Sequence, residues 1–324
     1  MIELIIKACD YDILEAAQKV QKVGVPQIMK SNPIQHRELG LALTAVELSG
    51  DKSTSPSRFV KAGAVAGSKA GTSEKTPLIL GVTGTGGAGK SSLVDELIQR
   101  FLNIYPEIKI GVVCVDPSKQ KTGGGLLGDR IRMNSLSRDR VYMRSMASRG
   151  SGREISDHLP AALDFLKTQD FDLLIAETSG IGQGSSAILD VCDVSLYVMT
   201  AEFGAQSQLE KIDMIDFANL IAINKADRRG AQDAHRDVIK QYRRSHKLFH
   251  DNGPVPVYLT QASNFNDKGV NELFIGIANT LVEKTNGSAA DGKGSNIKNS
   301  EQGSSRKLGG FDFTITPEKQ KALA

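Results

Sequence analysis

The sequence is poor in cysteine and in net charge, and it has no long hydrophobic run. Its three cysteines, Cys9, Cys114 and Cys192, are far apart and form no CxxC pair, which argues against a disulfide framework or a cysteine-based zinc site. The formal charge of +3 is too small for the electrostatic footprint of a nucleic-acid or anionic-membrane binder. No apolar run approaches the roughly 18 residues that span a bilayer. These absences predict a cytoplasmic protein with reduced thiols.

The 324 residues divide into five segments of different composition. The predicted segments are a helical N-terminal segment at 1–50 with an amphipathic stretch at 39–48, a linker at 51–76, a nucleotide-binding domain at 77–284, a disordered linker at 285–310, and the start of a further element at 311–324. Disorder is expected where almost no large apolar residues are available to offset the entropy lost on folding.

The central segment contains short apolar runs that are separated by helical patterns. These runs are 78–82, 110–115, 172–176, 194–199, 220–223 and 255–259. Runs without polar alternation are typical of strands that helices cover on both faces, so the sequence predicts an α/β fold with a mainly parallel, doubly wound sheet. Sites in such sheets lie beyond the carboxyl ends of the strands.

A glycine-rich phosphate-binding motif follows the first apolar run. GTGGAGKS at 84–91 fits GxxxxGK[ST] and lies between a strand pattern and a helix pattern. Its glycines would let backbone N–H groups curl around the β-phosphate, Lys90 would reach the β and γ oxygens, and Ser91 would ligate Mg²⁺. The alternative is a glycine-rich turn that only joins a strand to a helix.

A second motif, NKAD at 224–227, directly follows another predicted strand and matches the guanine-binding motif of GTPases. Asp227 can accept hydrogen bonds from the ring N–H and the amine of guanine, whereas adenine lacks both donors. Lys225 can lay its stem along the base, and Asn224 can brace the loop. Taken alone, the motif is also compatible with ordinary surface charges. TQAS at 260–263 is either a third base contact or a plain strand-to-helix turn.

Acidic residues follow two further predicted strands. Asp116 and Asp129 flank a glycine cluster and could complete the oxygen shell of Mg²⁺. Glu177 directly follows the run at 172–176, and Gly180 and Gly182 come after it in a segment suited to move when the γ-phosphate leaves. Helix capping is the alternative role for these carboxylates.

Four longer sequences carry a family resemblance: VDPSKQKTGGGLLGDRIRM, ETSGIGQGSS, AEFGAQSQLEKIDMIDFANLIAINKAD and TQASNFNDKGV. They resemble the methylmalonyl-CoA mutase-associated G-protein chaperones of the MeaB or ArgK type, and especially the form built into fused isobutyryl-CoA mutases. The resemblance covers residues 77–282. It implies a P-loop GTPase of the SIMIBI class that uses GTP, GDP and Mg²⁺, gates the loading of adenosylcobalamin into an acyl-CoA mutase, and protects that mutase. A homodimer formed through the mutase is compatible with it.

The resemblance also implies roles for individual residues. The phosphates would contact Gly86, Gly87, Ala88, Gly89, Lys90 and Ser91. Mg²⁺ would be surrounded by Ser91, the carbonyl of Val115, Asp116, Asp129, Glu177 and Thr178. The nucleotide would contact Arg132, and the base would contact Asn224, Lys225, Ala226 and Asp227. Lys90, Asp116 and Asp129 are the expected catalytic residues.

Residues 201–213 resemble the additional switch of this family. Its polar candidates are Glu202, Gln206 and Lys211, and its packing candidates are Phe203 and Leu209. The alternative is a simple amphipathic crossover helix whose residues Leu209, Ile212 and Ile215 face the core.

The sequence departs from the family pattern in two places. After Gln183 it has Gly-Ser-Ser where a serine followed by an acid is expected, and a polar linker replaces the helical dimerisation arm of the free-standing chaperones. The fused arrangement explains the second departure, with a cobalamin domain expected before this segment and a mutase barrel after it.

Other functions remain as alternatives at the level of sequence. A metallochaperone GTPase for nickel or cobalt should have a His-rich tract or paired cysteines, but the five histidines give only the i,i+4 pair His246 and His250. A small-molecule or protein kinase would need an acceptor site that the sequence does not reveal. A nucleotide-locked scaffold would differ from a GTPase by its lack of turnover.

Overall fold

A computed structural model describes most of the predicted α/β domain. The described residues are 36–48, 76–116, 133–137, 139–147, 156, 158–178, 180, 186–203, 209–210, 212–248, 253–290 and 310–323. The chain divides into two compact units, of which the first comprises Met1–Thr72 and His158–Asp170 and the second comprises Ser73–Asp157 and Phe171–Ala324.

The second unit contains a sheet of seven parallel strands. The strands are β1 Leu78–Gly84, β2 Ile110–Asp116, β3 Val141–Ala147, β4 Leu173–Glu177, β5 Val194–Met199, β6 Leu220–Ile223 and β7 Val257–Leu259. Their order in the sheet is β3-β2-β4-β1-β5-β6-β7, and every described pairing is parallel. This confirms the predicted parallel sheet.

Besides short 3-10 helices at Ser135–Ser137, Ser186–Asp190 and Ala201–Phe203, the described part of the chain contains α-helices before, between and after these strands. They are α1 His36–Leu48, α2 Lys90–Ile104, α3 Leu159–Lys167, α4 Met214–Phe217, α5 Ala231–Ser245, α6 Lys268–Ala290 and α7 Pro317–Lys321. Of these, α1 and α3 belong to the first unit. The predicted amphipathic stretch at 39–48 lies in α1, where Leu39, Leu43 and Val46 are buried at helical spacing. Residues 1–35 lie outside the described part of the chain.

The core of the second unit lies between the sheet, α2 and α6. Every residue of β1 and β2 is buried, which explains why their sequences show no polar alternation. On α2, Leu93, Leu97 and Phe101 recur at helical spacing and are fully buried. This packing fixes α2 directly behind the loop that precedes it.

At one edge of the sheet, the structure contains a strand that the sequence does not predict. Strand β3 was not predicted, because Arg144 and Ser145 interrupt its apolar run. Both residues are only half-buried, as an edge strand allows. Strands β1, β2 and β4 also extend further than predicted, so Asp116 and Glu177 are the last residues of their strands.

The two described cysteines are free thiols. Cys114 is buried in β2, and Cys192 lies just before β5. Burial, together with the nearby carboxylate of Asp193, raises the pKa of the Cys192 thiol to about 12. This thiol is therefore protonated and unreactive at neutral pH.

The end of the domain differs from the boundary expected from composition. Helix α6 continues to Ala290, six residues past the predicted boundary at Lys284. Residues 291–309 of the expected linker lie outside the described part of the chain. Residues 310–323, which we call the C-terminal strap, pack against the core through Phe313 and Leu323.

Aromatic rings and hydrogen bonds hold the C-terminal strap against α2 and α6. Phe313 is 1% exposed, and its ring lies 6.2 Å from that of Phe101. The hydroxyl of Tyr105 donates to the carbonyl of Phe313 at 2.6 Å, and burial raises the pKa of that hydroxyl, so it remains a donor. The amide of Asn271 donates to the carbonyl of Leu323 at 2.7 Å, and Lys319 lies over the Tyr105 ring at 4.3 Å.

Replacing Phe313 with alanine is expected to destabilise the second unit by about 3–5 kcal/mol, because a fully buried aromatic ring is removed from the core. Urea unfolding followed by circular dichroism measures this loss. The exposed Glu318 of the same strap offers a matched control, since Glu318→Ala should change the free energy of unfolding by under about 0.5 kcal/mol. Equal stability of the two variants would show that the strap does not contribute to the core.

Among the described residues, none of the helices combines the length and the hydrophobicity that crossing a bilayer requires.

Candidate functional site

The predicted phosphate loop lies between β1 and α2, at the carboxyl edge of the sheet. Gly87 and Gly89 adopt left-handed conformations, with φ of 71° and 84°. A β-carbon at Gly89 would lie 2.7 Å from the side-chain amide of Asn224, so glycine is required there for space as well as for conformation. The loop ends at the amino terminus of α2, where N–H groups can receive an anion.

Lys90 is the first residue of α2, and its side chain is directed back into the phosphate loop. Its ammonium donates to the carbonyls of Gly84 at 3.2 Å and Thr85 at 3.1 Å, and the residue is 7% exposed. Burial holds this cation at the place where the sequence predicts phosphate oxygens.

The segment after β4 also reaches the phosphate loop. Gly180 has a left-handed φ of 68°, and a β-carbon there would collide with the ammonium of Lys90. A β-carbon at Gly86 would in turn lie 3.1 Å from the carbonyl of Gly180. The predicted switch glycine therefore contacts the loop directly, whereas Gly182 and Gln183 lie outside the described residues.

The predicted magnesium ligands converge at the ends of β2 and β4. The hydroxyl of Ser91 donates to Oε1 of Glu177 at 2.7 Å, and Glu177 is 4% exposed. Strands β2 and β4 pair in parallel, and Asp116 ends β2 as a buried residue that follows Val115. The hydroxyl of Thr178 donates to that of Thr83 at 2.9 Å, which directs Thr178 between β4 and β1. The other two predicted ligands of nucleotide and metal, Asp129 and Arg132, lie outside the described residues.

Sequence reasoning missed one neighbour of this carboxylate. The thiol of Cys114 lies 3.5 Å from Oε2 of Glu177, so Ser91 and Cys114 contact opposite oxygens of the same group. Cys114 and Glu177 are partners in the β2–β4 register. This contact could be predicted only from the alignment of β2 with β4 in the sheet. The sequence patterns of the two strands do not give that alignment.

Asn224 connects the base motif to the phosphate loop. Its side-chain amide donates to the carbonyl of Ala88 at 2.9 Å. Its side-chain oxygen accepts from the N–H of Ala262 at 3.1 Å and from the hydroxyl of Thr260 at 3.3 Å. Asn224 is 2% exposed, so these bonds form in a low-dielectric environment where they stabilise the loops effectively.

The rest of the NKAD motif is more exposed. Lys225 has a left-handed φ of 61°, and its ammonium donates to the carbonyl of Gly87 at 2.6 Å, which carries its stem across the phosphate loop. The N–H of Ala226 donates to the carbonyl of Thr260 at 3.0 Å. Asp227 is exposed at the turn that follows, where its carboxylate is accessible to a base.

The TQAS segment mainly braces the base motif. The N–H groups of Thr260 and Ala262 bind Ile223 and Asn224, respectively. The N–H of Gln261 binds the carboxylate of Asp267 at 3.1 Å. Three N–H groups that were candidates for a base contact are therefore already used within the protein.

Two ion pairs connect residues 201–213 to the base loop and α5. Glu202 pairs with Arg228 at 2.6 Å, and Glu210 pairs with Arg244 at 3.4 Å. All four side chains are about half exposed or more, so each pair contributes little to stability. Sequence reasoning named Glu202 but not its arginine partner.

The apolar side of this segment matches the crossover alternative. Leu209, Ile212 and Ile215 are all buried, and the described helices in this region are a 3-10 turn at Ala201–Phe203 and α4. Gln206 and Lys211 lie outside the described residues, and Phe203 is described by its backbone alone. Burial of the apolar residues is compatible with either role.

No group of three or more His, Cys, Asp or Glu side chains in the described part of the chain is arranged to hold a metal ion. His246 stacks on Tyr242 at the end of α5, with ring centroids 3.9 Å apart, and His250 lies outside the described residues. The oxygen atoms of Ser91, Asp116 and Glu177 are of the hard type that could bind a cation together with phosphate and water.

The fold and the arrangement of the two motifs define the class of protein. A parallel α/β sheet with a phosphate loop after β1 and an NKAD turn after β6 is the architecture of a P-loop GTPase. The sequence profile of the family described as methylmalonyl-CoA mutase-associated GTPase MeaB matches residues 39–301. The chain belongs to this family and is a GTPase.

Several curated proteins are similar to the chain. It is 61% identical over 212 residues to the fused isobutyryl-CoA mutase of Geobacillus kaustophilus, which covers 65% of the chain and 20% of that protein. It is 58% identical over 205 residues to the fused isobutyryl-CoA mutase of Cupriavidus metallidurans, and the match covers 63% of the chain and 19% of that protein. It is 36% identical over 151 residues to the GTPase ArgK of Escherichia coli, covering 46% and 45%.

The chain thus spans about a fifth of the length of the fused relatives that it matches. The C-terminal strap lies beyond the residues that match the family profile.

Proposed function

We propose that this chain is the guanine-nucleotide switch of an adenosylcobalamin-dependent acyl-CoA mutase, and the two fused relatives named above are isobutyryl-CoA mutases. In this role it gates the loading of adenosylcobalamin and protects the mutase. The observation that carries the proposal is the buried Asn224, which joins the base motif to the phosphate loop in a chain 61% identical to a segment of a fused mutase. A joined site of this kind suits a protein that must distinguish nucleotides.

The phosphates would contact Gly86, Gly87, Ala88, Gly89, Lys90 and Ser91, and the base would contact Lys225, Ala226 and Asp227 with Asn224 as the brace. Arg132 would contact the nucleotide. Lys90 would exchange its carbonyl partners for phosphate oxygens, which bear more negative charge. In this way a buried ammonium stabilises the charge that develops during phosphoryl transfer.

The residues at the ends of β2 and β4 fit a magnesium ion. The hydroxyl of Ser91, the carbonyl of Val115 and the carboxylates of Asp116, Asp129 and Glu177 are the hard oxygen ligands that Mg²⁺ prefers, with Thr178 beside them. Mg²⁺ would supply charge neutralisation at the β and γ oxygens. The protein's part is to orient these ligands, and the 2.7 Å bond between Ser91 and Glu177 supports that role.

Replacing Cys114 with alanine should weaken the support that Mg²⁺ gives to nucleotide binding, because Oε2 of Glu177 no longer accepts a hydrogen bond from the thiol. A thiol is a weak donor, so we expect the Mg²⁺ concentration for half-maximal GTP binding to rise about twofold to fivefold. Calorimetric titration with Mg²⁺ measures the shift. Cys114→Ser should restore most of it, and Cys192→Ala should have no effect. An unchanged midpoint in Cys114→Ala would contradict a positioning role.

Residues 201–213 are proposed as the switch that reports the nucleotide state to the mutase. The Glu202–Arg228 pair gives this segment a direct contact with the residue that follows Asp227. A switch must differ in conformation between the GTP and GDP states, and a mutase that binds one state better must shift nucleotide affinity reciprocally. Weak, exposed ion pairs suit an element that changes partners.

The double variant Gln206→Ala with Lys211→Ala tests this switch when the mutase and cobalamin domains are supplied. We expect GTP affinity within about twofold of the unaltered protein, with loss of the nucleotide dependence of adenosylcobalamin transfer, followed by its absorbance. The exposed Lys240 on α5 provides the control variant Lys240→Ala. Unchanged gating in the double variant rejects the switch, and absence of any nucleotide effect in the unaltered protein rejects the proposed function.

A further inference from the structure

One large apolar side chain stands unusually exposed beside the base motif. Phe265 is 95% exposed, and Phe217, at 62%, is the other large hydrophobic side chain that is exposed among the described residues. Leaving a phenylalanine ring in water forfeits about 2–3 kcal/mol of burial energy. A single exposed ring is common on protein surfaces and needs no explanation by itself. A ring on a loop that is held in place is more informative.

The loop that carries Phe265 is held in place by its own hydrogen bonds. Oδ1 of Asp267 accepts from the N–H of Gln261 at 3.1 Å and from that of Val270 at 2.9 Å. The N–H of Asn264 donates to the carbonyl of Gln261 at 2.9 Å. These bonds close the loop on both sides of Phe265.

The residue that follows the ring is fixed as well. Asn266 has a left-handed φ of 50°, and its side-chain oxygen accepts from the amide of Asn271 on α6 at 3.1 Å. Asn271 also contacts Arg100 on α2 at 2.7 Å. The backbone is therefore held on both sides of Phe265, and the ring between these fixed points is exposed.

The same loop forms one wall of the predicted base site. Ala262 binds Asn224 through its N–H at 3.1 Å, and Phe265 lies three residues later, so their Cα atoms are within about 11 Å of each other. Strands β6 and β7 are parallel neighbours, which brings the loops after them to one edge of the sheet. Phe265 thus lies on the loop after β7, next to the loop after β6 that carries Asp227.

A planar base needs apolar cover on its faces as well as a partner for its edge. The stem of Lys225 crosses the phosphate loop toward Gly87 and can cover one face. We infer that Phe265 stacks on the opposite face of the guanine base and supplies binding strength, while Asp227 supplies base selectivity. This inference rests on the proposed nucleotide site and adds a residue to it that neither motif contains.

The two roles predict different nucleotide profiles. Stacking is tolerant of the base, because every purine has an aromatic face. Phe265→Ala should therefore raise the Kd values of GDP, GTP and inosine diphosphate together by about tenfold and leave the preference for GTP over ATP unchanged. Phe265→Leu should fall between the alanine variant and the unaltered protein. Since the ring is exposed, neither substitution should lower the unfolding temperature.

The absence of tryptophan from the sequence allows a direct optical test. Phe265→Trp introduces a single tryptophan at the proposed stacking position. Phe217→Trp provides a matched control, because Phe217 is also exposed but precedes β6, at the opposite end of that strand from Asn224. Addition of GDP should change the emission of the Phe265→Trp variant with a midpoint equal to the calorimetric Kd, and it should leave the Phe217→Trp variant unchanged.

The outcomes separate this inference from the proposed function. Normal GDP affinity in Phe265→Ala, together with an unresponsive tryptophan in Phe265→Trp, overturns the stacking role and leaves the nucleotide site intact. A failure of the unaltered chain to bind GDP in calorimetry overturns the proposed function and this inference with it. Weaker binding of all three nucleotides, with the optical response confined to position 265, supports the inference.

Discussion

Replacing Lys90 with alanine is expected to lower the rate of GTP hydrolysis by about a hundredfold to a thousandfold. This ammonium is the buried cation that begins α2 and is directed into the phosphate loop. Removing one preorganised donor from a site where phosphoryl charge develops has effects of this order. Single-turnover hydrolysis with excess protein, followed by phosphate release, isolates the chemical step from product release.

The control for this prediction must separate charge from packing. Lys90 is 7% exposed, so alanine also removes a buried stem, whereas Lys90→Met keeps most of its volume and loses only the charge. Both variants should be equally slow, and the exposed Lys240→Ala should hydrolyse GTP at the normal rate. A Lys90→Met variant with normal single-turnover hydrolysis would show that the phosphate loop is assigned wrongly.

Much of the sheet could be predicted, because its central strands are completely buried and therefore have uninterrupted apolar sequences. Uninterrupted apolar runs such as 110–115 occur where every residue of a strand is buried, and β2 shows that burial. Edge strand β3 lacks this signature, since Arg144 and Ser145 interrupt its run. Edge strands pair on one side only and tolerate such residues, which makes them harder to detect from hydrophobicity.

The bracing role of Asn224 was also predictable, because the motif places it directly after a strand at the carboxyl edge. Its partners were not, since Ala88 lies 136 positions earlier and Ala262 lies 38 positions later. Cys114 and Glu177 show the same limit, as their contact depends on how β2 and β4 align. The register between two strands depends on how both pack in the sheet, so it cannot be predicted from the sequence of either strand alone.

For the C-terminal strap, composition predicts apolar residues but not the part of the core against which they pack. Its apolar residues at 311–315 resemble the start of a further element when they are considered by themselves. In the structure Phe313 enters an aromatic cluster with Phe101, Tyr105 and Phe274, which come from α2, the residue that ends it, and α6. The role of a short apolar segment depends on the surface against which it packs. Here that surface is formed by residues far away in the chain, so the segment's own sequence does not predict its role.

Replacing Asp227 with asparagine is expected to lower the affinity for GTP by about a hundredfold and to favour xanthosine triphosphate instead. In the proposed site the carboxylate would accept from the ring N–H and the amine of guanine, and hydrogen bonds to a charged group contribute about 1.5–3 kcal/mol each. Xanthine carries a carbonyl in place of that amine. The asparagine amide can donate to this carbonyl while its oxygen accepts from the ring N–H, so the variant matches xanthine better than guanine.

Competition between labelled GDP and unlabelled GTP, ATP and xanthosine triphosphate measures this exchange of specificity. Asp227 is exposed, so the substitution should leave the unfolding temperature unchanged and any loss of affinity can be assigned to the base contact. Asp233→Asn, which changes another exposed acid that pairs with Arg236, should retain the normal preference for GTP. Equal affinities of the unaltered protein for ATP and GTP would contradict the base site, because a carboxylate aimed at two guanine donors cannot bind the adenine edge equally well.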